Sequence, residues 1–345
     1  MAVRMKDIAE SLNVSIVTVS KVLNGDMSIS ERTRGNVLRC ARQLGYRTNL
    51  TAKSLVTGCS KMIGLVVPDL FHGFYSEIAA NMSDELRSHN YGLLIASSRE
   101  DGDLERNEIE QMLARSVDAL VIATCRTSYR TLTAAALEVP IVLLDRRLRG
   151  DNLASYVGTD NLLAGELATQ HLIDIGRKRV AHIGGPASSP AHDREFAYRR
   201  VMQQQGILLP DGFVVKRARN EESSPITGAQ AMRRLLRLKR PPDSVFCYND
   251  PTAIGAMAAI LEAGLRIPED IAVVGCGNIQ HAAYTLVPLT SVDQNTRQLG
   301  KTAASLALNR IESWAKTLVN PREVIVEPKL VIRNSSMGTT RSIRP

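Results

Sequence analysis

Two sets of side chains in this sequence have the types and spacing to do chemistry. The first is Ile16, Val17, Ser20 and Lys21. At helical spacing they share a face that the apolar positions Val19, Val22 and Leu23 do not need. Bare aliphatics beside a lysine suit a major groove. There Ile and Val press on thymine methyl groups, and a lysine reaches a guanine edge or a phosphate. The second set lies just behind short apolar runs: Asp69, Phe74 and Tyr75, then Asp145 with Arg146, then Arg194, then Asn249. Carboxylates, an amide, guanidinium groups and two aromatic faces suit a small polar ligand such as a sugar or a nucleobase.

The elements that must present the first set are three short helices. Met5, Ile8, Ala9 and Leu12 give one apolar face. Asn13 tolerates the left-handed turn that follows, and Ser15 caps a second helix from Ile16 to about Leu23, closed by Asn24-Gly25. Ser30 caps a third from Glu31 to about Leu44, with Val37, Cys40, Ala41 and Leu44 as its stripe and Gly45 as its stop. This order is that of a helix-turn-helix module. Charge agrees: of a net +8, residues 1–60 carry nine basic and four acidic side chains, so a small basic head precedes a near-neutral remainder. Residues 49–58, from Asn49 to Gly58, read as a helix too short to stand alone in water, with Leu55 as an apolar wedge for a minor-groove base step.

The second set needs a different scaffold. From Met62 onward, Val- and Ile-rich runs such as Ile63–Val67, Leu93–Ile95, Ala119–Ile122, Ile141–Leu144, Val180–Ile183, Val245–Cys247 and Ile271–Val274 alternate with helical patterns at 75–90, 104–114, 161–175, 195–205, 251–264 and 296–316. That alternation predicts βαβ units and parallel sheets, and 285 residues are enough for two of them. Ligands bind such sheets at the carboxyl ends of the strands, which is where the second set falls. Asp160 and Asp250 stand at helix starts and are expected mainly as caps. His72, His192 and His281 sit on loops that can reach the cleft.

Asp7-Ile8-Ala9, Val14-Ser15, Thr18 to Asn24, Thr33-Arg34, Leu44-Gly45-Tyr46 and Asn49…Ala52…Leu55 resemble the head of the lactose-repressor (LacI/GalR) family of bacterial transcription regulators. In the body, Val67-Pro68-Asp69, Asp145-Arg146, Thr159-Asp160-Asn161, Gly184-Gly185-Pro186, Asn249-Asp250, Gly264 to Asp270 and Pro288 to Val292 resemble the same family, so the likeness spans nearly the whole chain. The resemblance implies a small all-α helix-turn-helix head on an α/β body of two parallel-sheet subdomains of periplasmic-binding-protein type. The implied divisions are a DNA-binding domain at 1–48, a hinge helix at 49–60, and an effector-binding and dimerisation body at 61–345. Within the body, an N-subdomain is expected at about 61–160 plus 290–322, and a C-subdomain at about 161–289 plus 323–335. Carried over residue by residue, Ser15, Ile16, Val17, Ser20, Lys21 and Asn24 contact DNA from the reader helix, and Asn49, Ala52 and Leu55 from the hinge. Asp69, Phe74, Tyr75, Asp145, Arg194 and Asn249 line the effector pocket. The chain departs from the family twice: Arg4 replaces a usual capping Thr, and Cys276-Gly277 replaces an aromatic followed by Asp. At the second place a ligand hydroxyl loses a charge-assisted partner worth ~1.5–3 kcal/mol.

The expected function is that of a sequence-specific DNA-binding transcription regulator, a repressor, which binds a near-palindromic operator as a homodimer and is controlled by a small polar effector in the cleft of the body, such as a sugar, sugar acid or nucleobase. The alternative is a solute-binding protein or a small-molecule-processing enzyme on the same body fold. Against an enzyme, the sequence has no G-x-S-x-G elbow, GxxxxGK[ST] loop or HExxH, and Gly275-Cys276-Gly277 is half a dinucleotide fingerprint without its third glycine. No cofactor is expected. No metal is expected either, since five cysteines lack CxxC spacing and six histidines lack ligand spacing. The run at 233–240 ends a helix, where cations suit the macrodipole. No run of eighteen apolar residues exists to cross a membrane, and MAVRMKDIAESLNV has charges where a signal peptide needs an apolar core, so the cytoplasm is expected. Residues 333–345 lack heptads, so a dimer is expected without a zipper tetramer.

Overall fold

The computed structural model describes residues 3–47, 54, 57–126, 130–148, 154–216, 224–314 and 320–337. The chain divides into two compact units, residues 1–60 and 61–345. The hinge positions Asn49, Ala52 and Leu55 lie outside the described residues.

The first unit holds α1 (Met5–Leu12), α2 (Ile16–Leu23) and α3 (Glu31–Gln43). Each starts on a polar device. The Arg4 backbone N–H donates to the Asp7 carboxylate at 2.7 Å, Ser15 Oγ accepts from Thr18 N at 3.0 Å, and Ser30 Oγ accepts from Thr33 N at 3.4 Å. Asn13 takes the left-handed conformation, φ 51°, that turns α1 into α2. Ile8, Ala9, Val19, Val22, Val37, Cys40 and Ala41 form a closed core of their own. Leu44, expected on the apolar stripe of α3, is instead exposed just past the helix end, and Tyr46 packs against the core in its place.

The second unit has two sheets. The first joins β1 (Met62–Val67), β2 (Gly92–Ser97), β3 (Ala119–Ile122), β4 (Ile141–Leu144), β5 (Ser155–Thr159) and β11 (Glu323–Val326) in the order β11-β5-β4-β3-β1-β2, all parallel. The second joins β6 (Val180–Ile183), β7 (Val214–Val215), β8 (Ser244–Cys247), β9 (Ala272–Gly277), β10 (Thr290–Asp293) and β12 (Lys329–Val331) in the order β12-β10-β9-β8-β6-β7, with only β12 antiparallel.

Helices cover both faces of each sheet. On the first, α4 (Gly73–Ser88) and α11 (Thr296–Trp314) bury Ile63, Leu65 and Val67, while α5 (Gly102–Ala114) and α6 (Arg130–Glu138) bury Val66, Leu120 and Ile122. On the second, α7 (Asn161–Asp174) and α8 (Ser189–Gln204) cover one face, and α9 (Ser224–Leu236) and α10 (Asp250–Glu262) the other. Helices α9 and α10 touch backbone to backbone: a Cβ on Gly255 would lie 1.8 Å from the Pro225 carbonyl oxygen, so only glycine fits.

Two boundaries move. Thr290–Asp293 pairs with Ala272–Gly277 in the second sheet, so the chain crosses to the first lobe after Asp293 and not before Thr290. Glu323–Val326 pairs with Ser155–Thr159, so it returns after Val326 and not before Glu323. In both places a short strand finishes its pairing before the chain leaves. Helix α8 also begins at Ser189, well ahead of 195, because Pro190 sits in its first turn, where a missing N–H costs nothing. Arg194 therefore stands on a helix, not a loop.

Because the first unit has its own core, Ile8→Ala should remove about 2–5 kcal/mol from that unit alone. Differential scanning calorimetry should show loss of head stability with the transition of the 61–345 unit unmoved; a shift of both transitions together contradicts separate cores.

Candidate functional sites

In the first unit, α2 buries Val19 and Val22 and presents the opposite face. Ile16 is 47% and Val17 64% exposed, with Ser15, Lys21 and Asn24 exposed beside them and Ser20 half-buried. Lys21 Nζ lies 3.7 Å from Asp26, a loose surface pair, and Asn24 Nδ2 reaches Ser20 Oγ at 3.5 Å. These contacts are weak and exposed, so the face can exchange them for nucleic-acid contacts at little cost.

In the second unit the carboxyl ends of β1, β4, β6 and β8 face a cleft between the lobes. Its inner chamber, about 60 Å3, is lined by the whole expected set: Asp69, Phe74, Tyr75, Asp145, Arg194 and Asn249. Phe74 and Tyr75 are the second and third residues of α4, buried and edge-on to each other. Tyr75 Oη donates to Asp145 Oδ2 at 3.1 Å. Burial, opposed by Arg194 and Arg146, raises the Asp145 carboxyl above its ordinary value, and its Oδ1 has no hydrogen-bond partner among the described residues. Asp145 also sits at φ 61°, a conformation that a non-glycine residue adopts only when its surroundings force it.

From the other lobe, Arg194 is 2% exposed. Its Nε and Nη2 donate to Asn161 Oδ1 at 2.9 and 2.7 Å, and Nη1 donates to the Tyr248 carbonyl at 2.7 Å. These acceptors are all neutral, and two of the five guanidinium N–H groups are left for a ligand. Asn249, and not Asp250, caps α10: its Oδ1 accepts from Thr252 N at 2.9 Å. Asp250 is the first helical residue and is fully buried. Its carboxylate accepts from Ser291 Oγ at 2.5 Å and Ile279 N at 2.9 Å, tying α10 to β10 and the loop after β9. Burial pushes its pKa up to about 6, against those two hydrogen bonds. Asp160 does cap α7, accepting from Leu163 N at 2.9 Å.

The sequence left His72 as one loop histidine among three. The structure puts it in the inner chamber, His192 in an adjoining outer one, and His281 in neither. His72 Nδ1 faces Phe74 N at 3.2 Å, and its Nε2 faces Asn249 Nδ2 at 2.8 Å, so it joins the caps of α4 and α10 across the cleft. Glu100, Tyr248 and Gln294 also line the chamber and were missed. Glu100 takes Arg146 Nη1 and Nη2 at 2.8 and 2.6 Å and cancels its charge. Tyr248 packs directly on Gly185, where a Cβ would lie 2.5 Å from its ring.

Burial, with Arg146 and Arg194 nearby, lowers the His72 pKa from 6.5 to about 4. Nδ1 accepts from the Phe74 N–H, so a second ring proton, which must go on Nδ1, would set donor against donor there. The stability given by the neutral ring is complete above about pH 6.5 and is lost as pH falls through about 4. Buried His182 has the same direction. Urea unfolding at pH 7, 5 and 4 should therefore show a decline toward acid that His72→Gln reduces; an equal decline in the variant excludes His72 as a contributor.

Comparison with known proteins bears on both units. Residues 4–49 match the profile of bacterial regulatory proteins of the lacI family, and residues 169–336 that of a periplasmic binding protein-like domain. The chain is similar to a ribose operon repressor of Haemophilus influenzae, 31% identical over 332 residues that cover 96% of this chain and 98% of the relative. It is similar to an HTH-type transcriptional repressor PurR of the same species, 29% identical over 335 residues with 96% and 98% coverage. Among solved structures, a Lac repressor dimer bound to operator and an anti-inducer superposes with a TM-score of 0.85 at 25% identity, covering 98% of this chain and all of that one.

Proposed function

Since the chain belongs to the lacI family of bacterial regulatory proteins, and is a DNA-binding transcription regulator of that family, we propose that it represses genes as a homodimer on a near-palindromic operator under control of a small polar effector. The observation that carries this is the exposed Ile16, Val17 and Lys21 face of α2 in a chain whose second unit ends in a polar, ligand-sized cleft. Helix α2 enters the major groove with Ser15, Ile16, Val17, Ser20, Lys21 and Asn24 as contacts, and half-sites stand about one helical turn apart. Asn49, Ala52 and Leu55 contact the operator centre, Leu55 as the wedge. The effector meets Asp69, Phe74, Tyr75, Asp145, Arg194 and Asn249, and changes the angle between the lobes, hence the hinge spacing and DNA affinity. The cleft binds without turnover, and the protein works in the cytoplasm, where its DNA is.

The test is selection of bound fragments from genomic DNA followed by titration. Lys21→Ala should compress discrimination between operator variants by about 1–3 kcal/mol at the base it reads. Equal weakening on all DNA makes Lys21 a phosphate contact only. Leu55→Ala should lower operator affinity while ligand binding by the cleft is kept; unchanged operator affinity removes the wedge. Failure of the full-length protein to enrich any sequence overturns the reading.

A further inference from the structure

The outer chamber has features that the proposal above does not use. It measures about 540 Å3, against about 60 Å3 for the inner one, and Arg146 and Pro186 line both, so one molecule can span the two. Among the described residues, Arg126 and Arg147 from the first lobe and Lys216 from the second face it, beside Arg146, whose charge Glu100 takes, and against two carboxylates, Asp193 and Glu195, the latter 3.3 Å from Lys216. The partners of Arg126 and Arg147 include Asp103 and Glu323, which stand outside this lining. Arg146 is 4% exposed, and its buried Nε has no hydrogen-bond partner among the described residues. A buried N–H without an acceptor costs free energy that a ligand can recover.

The sixteen-residue helix α8 also starts here, and its N-cap Ser188 gives no side-chain bond to the first turn. That end favours negative charge. The inner chamber's second-lobe lining, Pro186, Arg194, Tyr248 and Asn249, has no carboxylate among the described residues; the chamber's carboxylates, Asp69, Glu100 and Asp145, stand on the first lobe.

We propose that the outer chamber is an anion subsite and that the effector is a hydroxylated anion, a sugar phosphate or a sugar acid. Its hydroxyls meet Asp145 and Arg194 in the inner chamber. Its acid group lies outside, between Arg126, Arg147 and the start of α8. Guanidinium forks match both phosphate and carboxylate oxygens. This rests on the reading of the cleft as the effector site.

The experiment uses the full-length protein and inorganic phosphate at constant ionic strength, with chloride as the balance. Phosphate should raise the melting temperature, and the pair Arg126→Gln with Arg147→Gln should weaken phosphate binding about tenfold or more by calorimetry. Lys216→Gln, on the other lobe, should weaken it independently and serves where the double variant does not fold. No shift with phosphate, or a shift that all these variants retain, overturns the proposal, since the ion then sits elsewhere, such as the basic head. Glucose, glucose 6-phosphate and gluconate then compare neutral, phosphorylated and carboxylated forms of one hexose, and the tighter of the two anions identifies the acid group. Glucose binding as tightly as both anions overturns the anion subsite but leaves the cleft reading standing. An anion that saturates the chamber without changing operator affinity overturns the effector reading instead.

Discussion

A guanidinium at 2% exposure must be met by acceptors or it costs several kcal/mol, and the cleft is organised around meeting that of Arg194. Asn161 supplies one oxygen for two N–H groups, and the Tyr248 carbonyl supplies another. Asn161 is in place because Asp160 starts α7 there, and Tyr248 because β8 ends one residue earlier. Arg194 comes close enough because α7 has Gly165, where a Cβ would lie 2.8 Å from the Arg194 carbonyl oxygen. Strand ends, caps and a close helix pair therefore converge on one charge. Because its acceptors are neutral, the charge is positioned but not neutralised.

Asp145 plays the matching part in the other lobe. Its left-handed backbone is fixed by its N–H to the Val157 carbonyl at 2.8 Å and by Tyr156 Oη on its own carbonyl at 3.0 Å. Such a conformation costs of order 1–3 kcal/mol, which the pairing of β4 with β5 sustains. The result is a carboxylate with one oxygen on Tyr75 and one unpartnered. The two groups are preorganised, so a ligand that bridges them loses little free energy to ordering the site.

The reader helix was legible in the sequence because everything that defines it is local. Ser15, Asn13 and a period of 3.6 fix which face of Ile16–Leu23 is buried, and Ile16 and Val17 fall on the other. The sheets were legible as types for the same reason, through their apolar runs. Membership was not. The stretch Thr290–Asp293 reads as a short strand, but only pairing with Ala272–Gly277 assigns it to the second sheet, and those partners meet through tertiary contact. Asn249 took the capping role expected of Asp250, while keeping its place in the chamber, because both residue types cap helices and a one-residue shift in the helix start decides between them. His72, Glu100 and Gln294 lie on three separate connections, so no spacing could show that they share a chamber.

Among the described residues, few polar contacts join the two lobes. His72 meets Asn249 at 2.8 Å, Arg147 N meets Ser189 Oγ at 2.8 Å, and Gln280 N meets Glu77 Oε1 at 2.9 Å. Gln294, on the crossing segment after β10, reaches Thr159 Oγ1 at the end of β5 at 3.2 Å. A net hydrogen bond is worth about 0.5–1.5 kcal/mol, so these polar contacts together contribute only a few kcal/mol, beside an apolar cluster that runs through both lobes. Coupling between distant sites is typically about 1–3 kcal/mol. A ligand that gains an acceptor at Asp145 and a donor at Arg194 can supply that much, and it contacts the same elements that carry these cross-lobe bonds. Each sheet, by contrast, is held by its own ladder and by helices packed on both faces. The groups that line the inner chamber stand where the two lobes meet.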